Sequence, residues 1–430
     1  MNFLKNKVLR NTLWISVGQV VELLIALVFG ILITRYLTEA DFGMMNNSIA
    51  AMNTLLPLAT LSTSGIVMKK LVENKESEGT IIGTMLFFRL GSGVISALLL
   101  LAFAFLFNAD DQLMKYLCVI QTFALIVNFH ELFATWYNFK LQAYKYVIFR
   151  LITCILVCVY KGLILHSQLS VEWFCYSNVL DSILITIICF LSYKKNSDRT
   201  LSINFSLGKQ IIVESRFFIV SGVLTALLIH VDKFILQKMI SKTDVGIYTA
   251  AVYIGTLWGF VLNAMIESAR ATIISAKNEN MQLYKRRMQQ LYSAVIWSGI
   301  LVAICITLVS PYLLTILYGE KYSNGGVILG IICWSVVFQF IVRARNVWFI
   351  LENKNKYELI FTAFGIVVNV IMNLLLIPQF GLIGAAISAV LTQFGIAIIV
   401  PAIFPATRKS SLDVLNGLLC KWFFSKDFEG

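Results

Sequence analysis

The chain contains twelve apolar runs, roughly 11–34, 42–67, 80–107, 113–138, 147–165, 173–193, 214–237, 246–270, 289–315, 327–350, 358–377 and 381–404. Each is close to the about 20 residues a helix needs to cross a hydrocarbon core. In lipid every backbone polar group must be satisfied internally, and runs of this length and continuity do so as helices. Charged residues are 13% of the chain, against about 25% in a soluble domain. No polar segment between the runs is long enough to fold as a soluble domain. The spacing therefore predicts an all-α integral membrane protein with twelve transmembrane helices. The first run is too long for a signal core and no small-residue cleavage site follows it, so it reads as the first of these helices.

The loops orient the helices. Segments on the side of the N-terminus carry 22 lysines and arginines, from Lys5 through Arg199 to Lys421 and Lys426. The opposite side carries five: Arg35, Lys115, Lys238, Lys242 and Lys321. By the positive-inside rule both termini are expected in the cytoplasm. The net charge of +12 thus reports topology, and with no basic stripe interleaved with aromatics outside the membrane it does not point to a nucleic-acid partner. The eight cysteines lie almost all in or beside apolar runs and form no Cys-x-x-Cys pair, so they read as small packing residues.

A repeat divides the chain. Arg35-Tyr36-Leu37-Thr38-Glu39-Ala40-Asp41-Phe42-Gly43 is a polar turn between the first two runs. Lys238-Met239-Ile240-Ser241-Lys242-Thr243-Asp244-Val245-Gly246 has the same layout 203 residues later, so Arg35, Asp41 and Gly43 correspond to Lys238, Asp244 and Gly246. An even number of crossings per half makes this a parallel repeat about an axis along the membrane normal, with a central cavity between two bundles. The expected division is a six-helix bundle over 1–193, a cytoplasmic linker over 194–213, a second bundle over 214–404 and a cytoplasmic tail over 405–430. Pro57 removes a backbone hydrogen bond within the second run and predicts a kink, with Phe260 beside Gly259 at the equivalent place.

Charges inside the runs are the candidate functional residues. Eight are basic (Arg89, Arg150, Lys161, Arg216, Lys233, Arg270, Arg343 and Arg345) and five acidic (Glu22, Glu131, Asp181, Asp232 and Glu267). A charge at mid-bilayer costs about 2.5–3.5 kcal/mol on insertion scales, so such residues mark pairing or a water-filled path. Arg216, Arg270 and Arg150 lie near cytoplasmic ends, where snorkelling competes as an explanation. Arg343 and Arg345 are two apart and point to different faces, so only one faces a cavity directly. The basic excess suits an anionic cargo, since guanidinium binds phosphate with bidentate geometry. The sequence has no Walker loop, no Gly-x-Ser-x-Gly, no His-Glu-x-x-His and no metal-ligand cluster. It is therefore not expected to be an enzyme or to carry a cofactor or metal.

Three stretches resemble one family. Arg35–Gly43 is similar to the first outer turn of the polysaccharide exporters and O-antigen flippases of the multidrug/oligosaccharidyl-lipid/polysaccharide superfamily. Leu317-Tyr318-Gly319-Glu320-Lys321-Tyr322 resembles that family's stretch after helix nine. Asn369-Val370-Ile371-Met372-Asn373-Leu374-Leu375-Leu376-Ile377-Pro378, with Gly381 and Gly384, resembles its helices eleven and twelve. The N-terminal half has no counterpart to this last stretch. The resemblance implies two bundles around a V-shaped cavity and alternating access. It implies a flippase for undecaprenyl-pyrophosphate-linked oligosaccharide units of O-antigen, capsule or exopolysaccharide, working in a bacterial cell membrane, with membrane lipids and the pathway's polymerase and chain-length regulator as partners. On that reading Arg343 or Arg345, with Arg270 and Arg216, meets the pyrophosphate, and Glu22, Glu131 or Glu267 couples transport to an ion gradient. The alternatives are a multidrug efflux transporter of the same superfamily, which predicts a net acidic cavity, and a membrane glycan polymerase, which predicts a sizeable outer loop.

Overall fold

The computed structural model describes residues 7–73, 75–197 and 200–420, and among these there is no strand. Arg199, Lys421 and Lys426, used above for orientation, lie outside the described residues, as does Lys5. The chain forms two compact units, Met1–Ala226 and Leu227–Gly430.

The first unit contains α1 (Lys7–Tyr36), α2 (Glu39–Ala59), α3 (Ser64–Glu73), α4 (Glu78–Phe107), α5 (Gln112–Val127), α6 (His130–Phe139), α7 (Ala143–His166), α8 (Val171–Asn196) and the first part of α9 (Phe205–Met239). α2 is central and packs on α4, α5 and α8, while α1 lies on α7, and α7 on α8. The second unit holds the rest of α9, then α10 (Lys242–Leu257), α11 (Gly259–Glu279), α12 (Met281–Tyr318), α13 (Gly325–Leu351), α14 (Lys356–Phe394), a π-helical turn (Gly395–Ile399), α15 (Val400–Ile403) and α16 (Arg408–Leu418). Here α13 is central, packed on α10, α12 and α14.

Among the described residues eleven continuous spans are long and apolar enough to cross a membrane. The last, Lys356–Ile403, has 48 residues, which is about 70 Å of helix and twice a membrane core. It is two crossings joined at Gly381, whose φ of 57° is non-helical. The return is so close that a Cβ on Gly384 would lie 2.2 Å from the Leu376 carbonyl oxygen. Pro378 removes one further helical donor just before the turn. Twelve crossings result, as the hydropathy predicts.

The repeated turn has a local physical cause. Leu37 and Thr38 alone separate α1 from α2, and Ile240 and Ser241 alone separate α9 from α10. Thr38 Oγ1 accepts from the Asp41 backbone N–H at 3.1 Å and donates to Asp41 Oδ2 at 2.7 Å. Ser241 Oγ does the same with Asp244, at 3.1 and 2.6 Å. Each hydroxyl therefore caps a helix start, and each Asp lies in the first turn, where the helix dipole favours an anion. The motif is a helix-start signal used once in each half.

The second and eighth crossings both break. α2 ends two residues after Pro57, and Leu61 and Ser62 take left-handed φ of 54° and 44° before α3 begins. The carbonyls freed by the break are satisfied: Ser62 Oγ donates to Pro57 O at 3.2 Å and Ser92 Oγ to Ala59 O at 2.7 Å. In the second unit the break falls at Trp258, between α10 and α11. The fourth crossing also breaks, at Asn128 and Phe129, where Thr186 Oγ1 takes up Val127 O at 2.9 Å.

The linker after α8 is tied to the first unit. Asn204 N–H donates to Thr84 Oγ1 at 2.9 Å, and the Thr80 and Ser202 hydroxyls bond at 2.8 Å. α9 then runs along the same unit, with Gly222 against Pro57 and Glu214 3.0 Å from Lys70. At the C-terminus, α16 packs on α12 through Ser293 Oγ to Gly417 O at 2.6 Å and Trp297 Nε1 to Leu418 O at 3.2 Å.

Candidate functional site

In the first unit five of the embedded charges meet one another. Arg150 on α7 donates from Nη1 to both carboxylate oxygens of Asp181 on α8, at 2.8 and 2.7 Å, and its Nε lies 3.4 Å from Glu22 on α1. Arg89 on α4, 1% exposed, lies 3.7 Å from Glu131 on α6 and donates to Thr63 Oγ1 at 3.1 Å. His130 Nδ1 and the Tyr146 hydroxyl are 3.0 Å apart beside this network. In the second unit Glu267 pairs with Arg270 at 2.9 Å, one turn along α11. All three carboxylates that the sequence put forward for ion coupling, Glu22, Glu131 and Glu267, therefore sit against an arginine.

Asp232 is different. It lies on α9, 7% exposed, and its hydrogen bonds come from neutral groups. Asn373 Nδ2 on α14 donates to Oδ1 at 2.7 Å and the Tyr248 hydroxyl on α10 to Oδ2 at 2.9 Å. Asn369 and Asn373 are four apart and share a helix face, and Asn373 Nδ2 donates to Asn369 Oδ1 at 2.9 Å. Asp232, Tyr248 and Asn369 line a cavity of about 80 Å³, together with Lys233, Ser335, Gln339, Thr392 and Gln393. Two nearby buried oxygens, Asn373 Oδ1 and Thr392 Oγ1, have no hydrogen-bond partner among the described residues. A carboxylate with neutral amide and hydroxyl oxygens is the donor set of a hard cation, or of a proton carried on the carboxylate. Lys233 sets a positive charge on the same cavity and opposes cation occupancy.

The sequence placed Asp232 among the embedded acids but not among the candidates for ion coupling. The missed signal was the Asn-x-x-x-Asn spacing inside an apolar run. Two amides on one face of a membrane helix need a polar partner on a neighbouring helix.

The four candidate arginines separate into different roles. Arg345 is fully buried within the second unit: its Nε donates to Ser410 Oγ at 3.0 Å, Nη1 to Ile396 O at 3.3 Å and Nη2 to Ala397 O at 2.5 Å. Those carbonyls belong to the π-helical turn Gly395–Ile399, where the widened backbone releases acceptors. Arg345 closes that turn onto α16 and has no face left for a ligand. Arg343, on the opposite face of α13, is exposed, with its guanidinium 4.8 Å from the Phe340 ring centroid. Arg216 is likewise exposed, 4.9 Å from the Phe217 ring. Neither pairs with a carboxylate among the described residues, whereas Arg270 is held by Glu267. Of the turn residues, Asp41 and Asp244 are helix-start partners, Gly43 and Gly246 are buried, and Arg35 and Lys238 are exposed beside the caps.

Outside the membrane spans, Glu352 follows α13 and bonds Lys277 at 2.9 Å. Burial pushes its carboxyl up, but the hydrogen bond and charge of Lys277, with Tyr284 and Lys354, outweigh this and leave it below the ordinary value.

Comparison with known proteins agrees with this architecture. The solved inward-facing form of a MATE-family multidrug resistance transporter of the MOP superfamily superposes with a TM-score of 0.71 at 15% identity, over 97% of this chain and 99% of that one. The lipid II flippase MurJ, in an inward closed conformation, gives 0.70 at 14% identity, over 95% and 90%. The fold is thus that of MOP-type transporters, a multi-pass membrane architecture. The capsular polysaccharide biosynthesis protein CapF of Staphylococcus aureus is 18% identical over 393 residues, 90% of this chain and 96% of CapF. The model of the polysaccharide biosynthesis protein family matches residues 8–270, more than half of the chain, and the chain belongs to that family.

Proposed function

We propose that this protein is a flippase that moves polyprenyl-pyrophosphate-linked oligosaccharide units from the cytoplasmic to the outer leaflet of a bacterial cell membrane by alternating access, with both termini in the cytoplasm. The carrying observation is the unpaired guanidinium of Arg343. Most of the other embedded charges are matched by opposite charges or by main chain, but this one is exposed, about 12 Å from the cytoplasmic end of α13 on the proposed topology. Such a group suits a diphosphate and repels an organic cation. Arg216 on α9 supplies a second unpaired guanidinium of the same kind. The family, and the likeness to a capsular polysaccharide biosynthesis protein and to a lipid II flippase, support a glycan-bearing lipid as cargo.

The energy source on this reading is an ion gradient, because the sequence has no nucleotide-binding loop. Asp232, with Asn369, Asn373, Tyr248 and Thr392, is the proposed coupling site in place of Glu22, Glu131 or Glu267. Those three are already neutralised by arginines, and a carboxylate held by neutral donors can exchange a cation or proton without breaking an ion pair.

Deletion in the native host, with leaflet-resolved analysis of lipid-linked oligosaccharide, tests the function. Complete units accumulating on the cytoplasmic side are expected, restored by the wild-type gene and not by Arg343→Ala with Arg216→Ala. Units that reach the outer leaflet normally but fail to polymerise would refute it in favour of a polymerase role. Unchanged glycan together with altered drug susceptibility would refute it in favour of efflux.

A further inference from the structure

The first unit carries a second concavity that plays no part in the scheme above. It has a volume of about 680 Å³ and opens between the start of α5, the end of α7 and the start of α8. The Tyr36 hydroxyl donates to Leu169 O at 2.9 Å, which sets this groove at the same end of the unit as the α1–α2 turn. On the proposed topology that is the outer face.

The lining is unusual for a surface at a membrane edge. Tyr116, Tyr160, Trp173 and Tyr176 line it, together with Ser170, Glu172 and the aliphatic side chains of Val179, Leu180 and Ile183. The Tyr116 and Tyr176 hydroxyls bond each other at 2.8 Å, and the Trp173 and Tyr176 rings are 5.8 Å apart. Tyr160 OH donates to Trp173 O at 3.4 Å and fixes that ring's backbone. Two polar groups are left open. Glu172 Oε2 is buried and has no hydrogen-bond partner among the described residues. Ser170 stands at the N-cap of α8 but makes no side-chain capping bond.

Interfacial aromatics that anchor a protein in the headgroups do so one by one, with apolar bodies in lipid and polar tips in water. These four instead wall one concavity and share it with a buried carboxylate oxygen that lacks a donor. We infer that the groove binds a neutral glycan of two to three sugar residues. Sugar C–H faces pack on the rings, and sugar hydroxyls donate to Glu172 and exchange hydrogen bonds with Ser170 and the tyrosines. The volume falls in the range of small-molecule sites and is several times what an ammonium headgroup fills. A cage for such a cation would also need no row of hydroxyls. That the bound glycan is the transported cargo, held after it crosses, rests on the flippase reading.

The test uses the full chain in nanodiscs, with oligosaccharide released by mild acid from the host's lipid-linked pool as probe and saturation-transfer NMR as readout. Wild type and Arg343→Ala are expected to bind, and Glu172→Gln with Trp173→Ala to bind about tenfold more weakly or not at all. Trp173 is 44% exposed, so its removal leaves packing largely intact, and an unchanged melting temperature with Trp173→Phe as a second variant verifies this. No binding to wild type, equal binding to the double variant, or displacement by tetramethylammonium would each overturn the inference. Flipping is measured separately on the same proteins. Loss of the flippase reading would appear there, and loss of the groove only in the NMR.

Discussion

Asp232→Asn separates coupling from folding. The change is isosteric and removes one negative charge. Tyr248 can still donate to the remaining oxygen. The Asn373 amide now faces an amide nitrogen; rotating it presents Oδ1 as acceptor but gives up the Nδ2 hydrogen bond to Asn369 Oδ1. The structural loss is therefore held to about 1 kcal/mol or less, the net value of one neutral hydrogen bond. The coupling loss is much larger. A monovalent cation about 4 Å from a carboxylate, at an effective dielectric near 20, is held by about 4 kcal/mol. Without the charge, cation affinity falls about a thousandfold. The assay is thermal unfolding of purified wild type and Asp232→Asn across sodium, lithium and potassium concentrations and across pH, followed by uphill and exchange transport in vesicles. Wild type is expected to be stabilised by one cation, or by protons, and the variant to lose that dependence and uphill transport while keeping its unfolding temperature and exchange. A variant that retains ion-dependent stabilisation and uphill transport would refute the argument that Asp232 is the coupling carboxylate.

Three further outcomes follow from the geometry. Lys233→Met removes the positive charge on the same cavity and should tighten cation binding by about tenfold, read in the same unfolding titration. Arg345→Met strips hydrogen bonds from two buried carbonyls and Ser410, and should cost about 3–5 kcal/mol and most of the folded protein, by detergent-solubilised yield and melting, whereas Arg343→Ala should leave both unchanged. For Glu352 the folded carboxyl lies below its ordinary value near 4.5, so its stabilisation is complete above that pH and is lost as pH falls through the folded value; melting at pH 7 and pH 4 should show a drop that Glu352→Gln reduces.

The architecture was legible because its signal is large: twenty-residue apolar runs and a strong basic asymmetry leave few alternatives for the crossing count. The turn motif was legible as a repeat, since Thr38 with Asp41 and Ser241 with Asp244 act over three residues. The site was less legible because its contacts are long-range. Asp232 meets Asn373 across 141 positions, and Arg150 meets Asp181 across 31 and Glu22 across 128. Sequence spacing showed that Arg343 and Arg345 face different ways. It could not say that the carbonyls of a π-helical turn would occupy Arg345 and leave Arg343 open.

The two-residue turns at Leu37–Thr38 and Ile240–Ser241 also bear on how sidedness can be mapped. Each closes a helical hairpin with a hydroxyl that caps the returning helix, so an epitope or protease site inserted there would open the hairpin and report on a damaged protein. The segments 108–111 and 319–324 join helices with more slack and lie at the same chain-alternation side. On the proposed topology a reporter placed in those segments would read the outer face of an intact molecule, and one placed in the tight turns would not.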